Sequence, residues 1–324
     1  MRRPRRALRV GLAVLVAFAA PVILLVTVGW PTSTRATTPA QLGVSRSARE
    51  LEEILERPGP ITVETVVGAD WTIERSGLID LDDPRAAALE DGMEPIHIYF
   101  HALRHPTEGL YLVDTGVERA FAHDPDRAAL RGLIAKAAGA DRIRVVTDTA
   151  TWIAAQEAPV RGVLLTHLHL DHVTGLRDVT EGAPVYTGPG ESASRSALAF
   201  FTQASVDRAL EGRPAVREWR FEPDPSGSFD ALIDVFGDGS LWAISSPGHT
   251  AGSTAFLART PEGPVLMTGD VCHTAWGWQH GVAPGAFTED HAANAESLER
   301  LRALVERHPS IDVRLGHQEL PRAE

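Results

Sequence analysis

Cysteine is nearly absent from this chain. Cys272 is the only one among 324 residues, so no intramolecular disulfide can form and cysteine usage assigns no redox compartment. A lone cysteine is expected as a small buried hydrophobe. Positive charge is also scarce, and unevenly placed. Five of the 31 basic residues (Arg2, Arg3, Arg5, Arg6, Arg9) sit in the first thirty positions, which hold no acid. The remainder carries 26 basic and 43 acidic side chains, a net charge of −17. A surface that acidic repels phosphate backbones, which argues against nucleic acid as a partner. No internal repeat is visible. With 44% hydrophobic residues, there is apolar mass for one large core or two small ones.

What is present at the N-terminus is an uncharged, mostly apolar run from Val10 to Trp30, behind the arginines. Its length is about that of a bilayer-spanning helix. Pro21 would kink such a helix, which membrane helices tolerate. The positive-inside rule keeps the arginines cytoplasmic and places everything after Trp30 outside. A cleaved signal peptide, with secretion, is the alternative. Its apolar region is usually shorter, about 7–15 residues, so the uncleaved anchor is preferred. The expected organisation is a basic tail (1–9), a transmembrane anchor (10–30), a small, polar, Pro-containing tether (31–46) and one globular domain (47–324).

In that domain, Ser45 or Ser47 caps a short helix that Arg57-Pro58-Gly59-Pro60 stops. Strands are expected over 61–67, 71–74, 96–103 and 110–113, with a helix over 126–138 closed by Gly139. After a helix over 149–156, the apolar run Val163-Leu164-Leu165 leads into Thr166-His167-Leu168-His169-Leu170-Asp171-His172. A strand ending there delivers four potential metal ligands onto a loop at a sheet edge. His167 and His169 are two apart and point the same way in extended chain. Asp171 and His172 are adjacent and point in different directions, so the cluster reads as parts of two neighbouring metal sites. Helices are expected to start at Val173 and to run over 192–210 and 289–308. Strands are expected over 183–187, 230–236, 241–245, 253–258, 265–268 and 311–315. Three more ligand-type residues fall at or just past strand ends: His249 in Pro247-Gly248-His249, Asp270 in Gly269-Asp270, and His317 in Gly316-His317.

His-x-His-x-Asp-His, then Pro-Gly-His, Thr-Gly-Asp and Gly-His, with Leu-Val-Asp-Thr-Gly at 112–116, resembles the metallo-β-lactamase superfamily over about residues 50 to 324. The resemblance implies an α/β fold, a four-layer αββα sandwich with the site at one edge of the packed sheets. It implies two zinc ions: His167, His169 and His249 on the first, Asp171, His172 and His317 on the second, and Asp270 bridging. Other divalent metals suit the same donors. Such a site activates water at neutral pH and takes up developing oxyanion charge. Asp171 is then the catalytic carboxylate, orienting the water and passing a proton to the leaving group.

Departures from individual branches narrow the expected substrate. Zinc β-lactamases generally lack the bridging aspartate. Flavodiiron oxidoreductases place Glu where this chain has His169. Glyoxalase II carries a C-terminal helical domain, whereas seven residues follow His317 here. Nuclease branches carry an added domain or RNA-binding arm. What remains looks like the compact hydrolases that include N-acyl homoserine lactone lactonases. The expectation is a membrane-tethered zinc hydrolase acting on an ester, lactone or thioester of a small molecule. A phosphodiesterase and a non-catalytic binding protein on the same fold are the alternatives. The stretch after His172 is expected to supply a lid, with Phe200 and Phe201 either lining an acyl pocket or serving as ordinary core. Lactonases of this kind use a tyrosine near the carbonyl, but Tyr186 lies in a predicted strand and does not inherit that role. Cys272 to Trp278 is expected as a rim, with Trp276 and Trp278 sharing a face if the segment is extended; core packing explains the two tryptophans equally well. His273, His280 and His291 are read as supporting or surface residues rather than ligands.

Overall fold

A computed structural model describes residues 36–193 and 196–321. The expected anchor (10–30) lies outside the described residues, among which no helix is long and apolar enough to cross a membrane. In chain order the strands are β1 (Thr37–Pro39), β2 (Val44–Arg46), β3 (Thr62–Glu74), β4 (Met93–His105), β5 (Gly109–Val113), β6 (Arg144–Val145), β7 (Val160–Leu164), β8 (Val185–Thr187), β9 (Val216–Glu218), β10 (Leu232–Asp234), β11 (Leu241–Ser245), β12 (Thr254–Thr260), β13 (Gly263–Met267) and β14 (Asp312–Arg314). They build two sheets, ordered β1-β9-β8-β7-β5-β4-β3-β6 and β14-β13-β12-β11-β10-β2.

Three buried clusters define the layering. Leu103, Val113 and Leu164 of the first sheet meet Ile233, Phe256 and Met267 of the second. Outside the first sheet, Phe100, Leu112 and Val163 pack with Trp152, Leu176 and Val206 from helical segments. Outside the second, Trp242, Leu257 and Leu266 pack with Leu51 of the helix Ala48–Ile54 and with Leu298, Leu301 and Leu304 of the helix His291–Arg307. This is the four-layer αββα sandwich. Helix ends follow local chemistry. Ser47 and Glu50 form a reciprocal capping box, and Asp290 caps His291–Arg307 through the Ala293 N–H.

Several elements differ from the sequence expectation. The strands expected at 61–67 and 71–74 are one strand, β3, with a register shift between Val67 and Ala69 where it pairs with β4. Gly68 lies in that bulge, which explains the apparent gap. The helix expected over 126–138 is confined to Gly132–Ala137, because Gly132 takes φ +65°, off the right-handed helical path. The helix expected from Val173 begins earlier, at Leu170, so Asp171 and His172 lie on a helical turn. The helix expected from Ser192 begins at Ala197, after a turn over Glu191–Ala193. Part of the expected tether is integrated into the fold. β1 pairs with β9 and β2 pairs with β10, so residues 37–46 contribute a strand to each sheet. Three-residue strands carry too little alternation to announce themselves.

Candidate metal centre and substrate groove

β5, β7, β11, β13 and β14 all end towards one edge of the sandwich, and each is followed by a polar loop. β7 leads through Leu165 and Thr166 to His167 and to His169, whose backbone is extended (φ −70°, ψ 158°). β11 leads to His249, β13 to Asp270 and β14 to His317. The approach is tight. A Cβ on Gly248 (φ +132°) would lie 2.1 Å from the Asn294 backbone nitrogen, and one on Gly316 would lie 2.3 Å from Asp270 Oδ1. Glycine is required at both places for the loops to close on the site.

All seven sequence-predicted residues come together. His167, His169, His249 and Asp270 form one group and Asp171, His172, Asp270 and His317 another, each with donor atoms within 4.8 Å of one another. Asp270 belongs to both. Its Oδ2 lies 3.6 Å from His167 Nε2, 3.3 Å from His172 Nε2, 3.4 Å from His249 Nε2 and 3.3 Å from His317 Nε2. Asp171 Oδ2 lies 3.2 Å from His317 Nε2. The Nε2 atoms of His167, His169 and His172, and Asp270 Oδ1, are buried without a hydrogen-bond partner. Orphaned buried polar atoms are costly. Imidazole and carboxylate donors converging in two groups fit a pair of divalent cations.

The imidazoles are braced from behind. Asp114 Oδ2 accepts from His172 Nδ1 at 2.8 Å, and Asp114 Oδ1 accepts from the Thr166 backbone N–H at 2.8 Å. His317 Nδ1 donates to the His97 carbonyl at 2.8 Å. These contacts place the proton on Nδ1 and turn Nε2 toward the cluster. Asp114 has φ +57°, a left-handed conformation that Asp tolerates better than most residues. Glu191 ties two ligand loops together, accepting from the Leu168 N–H at 2.8 Å, the Thr250 hydroxyl at 2.7 Å and the Gly252 N–H at 2.9 Å.

Electrostatics divide the cluster. Burial pushes His167 and His249 well below the usual imidazole range, and His169 down to about 4. These three rings are neutral and offer lone pairs. Burial also opposes charge on His317, but Asp270 and Asp171 outweigh it and lift the ring to about 10. His172 is raised likewise, against burial, by Asp270 and Asp114. Burial would raise Asp171, but the His172 and His317 imidazoles hold its carboxyl well below the carboxylate range.

An apolar groove of about 330 Å³ ends on this cluster. Its walls include Trp71, Ile73, Ile96, Leu170, Phe201 and Phe287, and its floor includes His169, Asp171, His249, Asp270, His273 and His317. The side chain of Phe200 lies outside the described residues. Trp276 and Trp278 do not line the groove. Their segment is a helix, Ala275–His280, capped by Thr274, not an extended rim. Trp278 is buried in the core and Trp276 stacks on His280 with ring centroids 4.1 Å apart. Tyr186 is buried in β8, stacked on Trp219. Sequence reading gave no role to Trp71, Ile73, Ile96 or Phe287, and did not single out Asp114 or Glu191 as braces. The match of Asp114 to the family pattern was the available signal; the wall residues read as ordinary strand and loop hydrophobics.

Sandwich and cluster together define a class, the metal-dependent hydrolases that work at one edge of two packed sheets. The chain belongs to the metallo-beta-lactamase superfamily, whose family model matches residues 95–317. It is 31% identical over 224 residues to the N-acyl homoserine lactonase AttM of Rhizobium johnstonii, covering 68% of this chain and 82% of that protein. It is 34% identical over 161 residues to AttM of Azorhizobium caulinodans, covering 49% and 59%. A crystal structure of a point mutant of B. thuringiensis AiiA with N-decanoyl-L-homoserine bound at the active site shares the fold, with a TM-score of 0.56 at 18% identity over 79% of this chain and 92% of that one.

Proposed function

We propose that this hydrolase opens the ring of N-acyl homoserine lactones or closely related acyl lactones, using two zinc ions. One observation carries the reading: an apolar groove runs directly onto a floor of converging imidazoles and carboxylates. Its volume falls within the roughly 300–1,000 Å³ of small-molecule sites. A ligand with an apolar tail and a polar, hydrolysable head matches that division. The likeness to the AttM lactonases supports the same choice.

His167, His169 and His249 would hold one ion, Asp171, His172 and His317 the other, and Asp270 both. Bound there, the ions supply Lewis acidity and activated water. The chain's own residues do the rest. Trp71, Ile73 and Phe201 hold the acyl tail and exclude water. Asp171 lies on the groove floor with its carboxylate 3.2 Å from His317 Nε2, and in this reading it relays a proton to the leaving alcohol oxygen. We also propose that residues 10–30 hold the enzyme at a membrane, with the catalytic domain on the extracytoplasmic side. Recovery of the full-length chain in the soluble fraction would remove that part.

The test is a side-by-side assay of the zinc-loaded protein on N-hexanoyl homoserine lactone, a simple thioester and bis-p-nitrophenyl phosphate. Lactone turnover abolished by a chelator is the expected result. Phosphodiester cleavage alone would replace the lactonase reading, and inertness towards all three with two metals bound would remove it.

A further inference from the structure

His273 is the one histidine at the site that the seven-residue set leaves out. It lies on the groove floor and is 1% exposed. Its backbone carbonyl accepts from the His317 N–H at 3.1 Å, and the neighbouring Cys272 carbonyl accepts from the Gly316 N–H at 3.0 Å. The segment is therefore stitched to the loop that carries His317. Its ring sits between the two ligand groups, with centroids 5.1 Å from His249 and 5.2 Å from His317. Its Nε2 makes a 3.0 Å contact with Asp270 Oδ2, and neither ring nitrogen has a hydrogen-bond partner.

A buried imidazole whose two nitrogens make no hydrogen bond costs stability unless something uses them. It belongs to neither of the two groups of mutually close ligand atoms, each of which already offers four donors. A neutral imidazole always carries one N–H. None of the three tyrosines lines the groove, so no phenol stands beside the cluster to donate to a substrate oxygen. We propose that His273 is a catalytic residue that contacts the substrate: its ring N–H donates to the oxygen of the acyl carbonyl as charge develops there. This rests on the acyl-hydrolase reading above and adds a residue that selects carbonyl substrates at that site.

The experiment compares wild-type enzyme with His273→Ala and His273→Gln, all zinc-loaded, with thermal melting as a control for folding. Gln keeps an N–H donor of similar reach. Three quantities are read: zinc per protein, binding of hexanoate as a carboxylate probe by calorimetry, and kcat/KM on N-hexanoyl homoserine lactone. The expected result is two zincs in every variant, a roughly 10²-fold fall in kcat/KM for His273→Ala carried by kcat, weaker hexanoate binding, and partial recovery in His273→Gln. A fall in zinc content with the Ala variant would make His273 a ligand and overturn the proposal. Unchanged kcat and hexanoate affinity would overturn it too, as would a wild-type enzyme that does not bind hexanoate. If wild type binds hexanoate through His273 but opens no lactone, the lactonase reading falls and the assignment of His273 stands.

Discussion

The floor and the walls of the groove are built on opposite principles. On the floor, His249, Asp270, His273 and His317 are each at most 4% exposed, and His317 and the neighbouring His172 are held from behind by the His97 carbonyl and by Asp114. Their loops leave strand ends whose register is set by both sheets. On the walls, Phe201 is 61% exposed, and the short helix Gly132–Ala137, which supplies Ile134, has no buried residue. The floor is over-determined, whereas the wall formed by Phe201 and Ile134 is lightly held, unlike the buried Ile73 and Ile96. Substitutions on the floor should therefore alter whether the reaction occurs, and substitutions on the walls should alter which substrate is taken.

The largest effect is expected for Asp270→Ala. Asp270 is the one residue common to both ligand groups. Its loss should leave no more than one tightly held metal and reduce kcat/KM beyond the roughly 10²–10³-fold that removal of a single transition-state donor costs. Metal analysis and steady-state kinetics check this, and full turnover with two metals bound would end the bridging assignment. Asp114→Asn is the next step down. Asn tolerates the left-handed backbone at this position, so the loop is preserved. Its amide cannot accept from Thr166 and from His172 Nδ1 at once as the carboxylate does. Metal affinity should fall about 10–100-fold in a competition titration, the size expected for removing a brace behind a ligand.

This contrast also explains what the sequence revealed. The seven ligand residues were legible because His249, Asp270 and His317 each follow a glycine that breaks an apolar run, and because Thr166 to His172 packs four potential ligands into one loop. The layers followed from strand and helix periodicity. The walls were not legible. Trp71 and Ile73 lie beyond the bulge at Gly68, where the β3 register changes, and they come to line one groove with Ile134 only through the tertiary fold. At Trp276 and Trp278 the extended-rim reading fails for a related reason, while the core alternative holds for Trp278. Their two-residue spacing suggests a shared face, yet Thr274 caps a helix and Gly281 closes it at φ +68°, so local capping overrode the alternation. The short strands β1 and β2 exist only through their distant partners β9 and β10.

Phe201→Ala should leave metal content and melting temperature unchanged, because the side chain is mostly exposed. It should lower kcat/KM on a decanoyl substrate by roughly 5-fold while barely changing a butyryl one, the scale of about 1 kcal/mol of lost apolar contact. Equal losses on both chain lengths would place Phe201 outside the tail-binding surface.

The smallest effect tests the floor's scaffolding rather than its ligands. Glu191 is buried between the His167–His169 loop and the loop after His249, and burial, only partly offset by the Thr250, Leu168 and Gly252 donors, raises its carboxyl to about 7. The folded value lies above the ordinary 4.5, so the folded protein keeps a proton that the unfolded chain releases between those values. The associated stability is complete below pH 4.5 and is lost as pH rises through about 7. Glu191→Gln cannot ionise and loses this dependence. With both proteins zinc-loaded, proton linkage at the ligands is common to the two and cancels in the difference. The melting temperature of wild type minus that of Glu191→Gln should fall by a few degrees from pH 5 to pH 8. A difference that stays flat would mean the carboxyl remains ionised throughout, held as an anion by its three donors. The stitch between the two ligand loops would then be a fixed charge rather than a proton-dependent one.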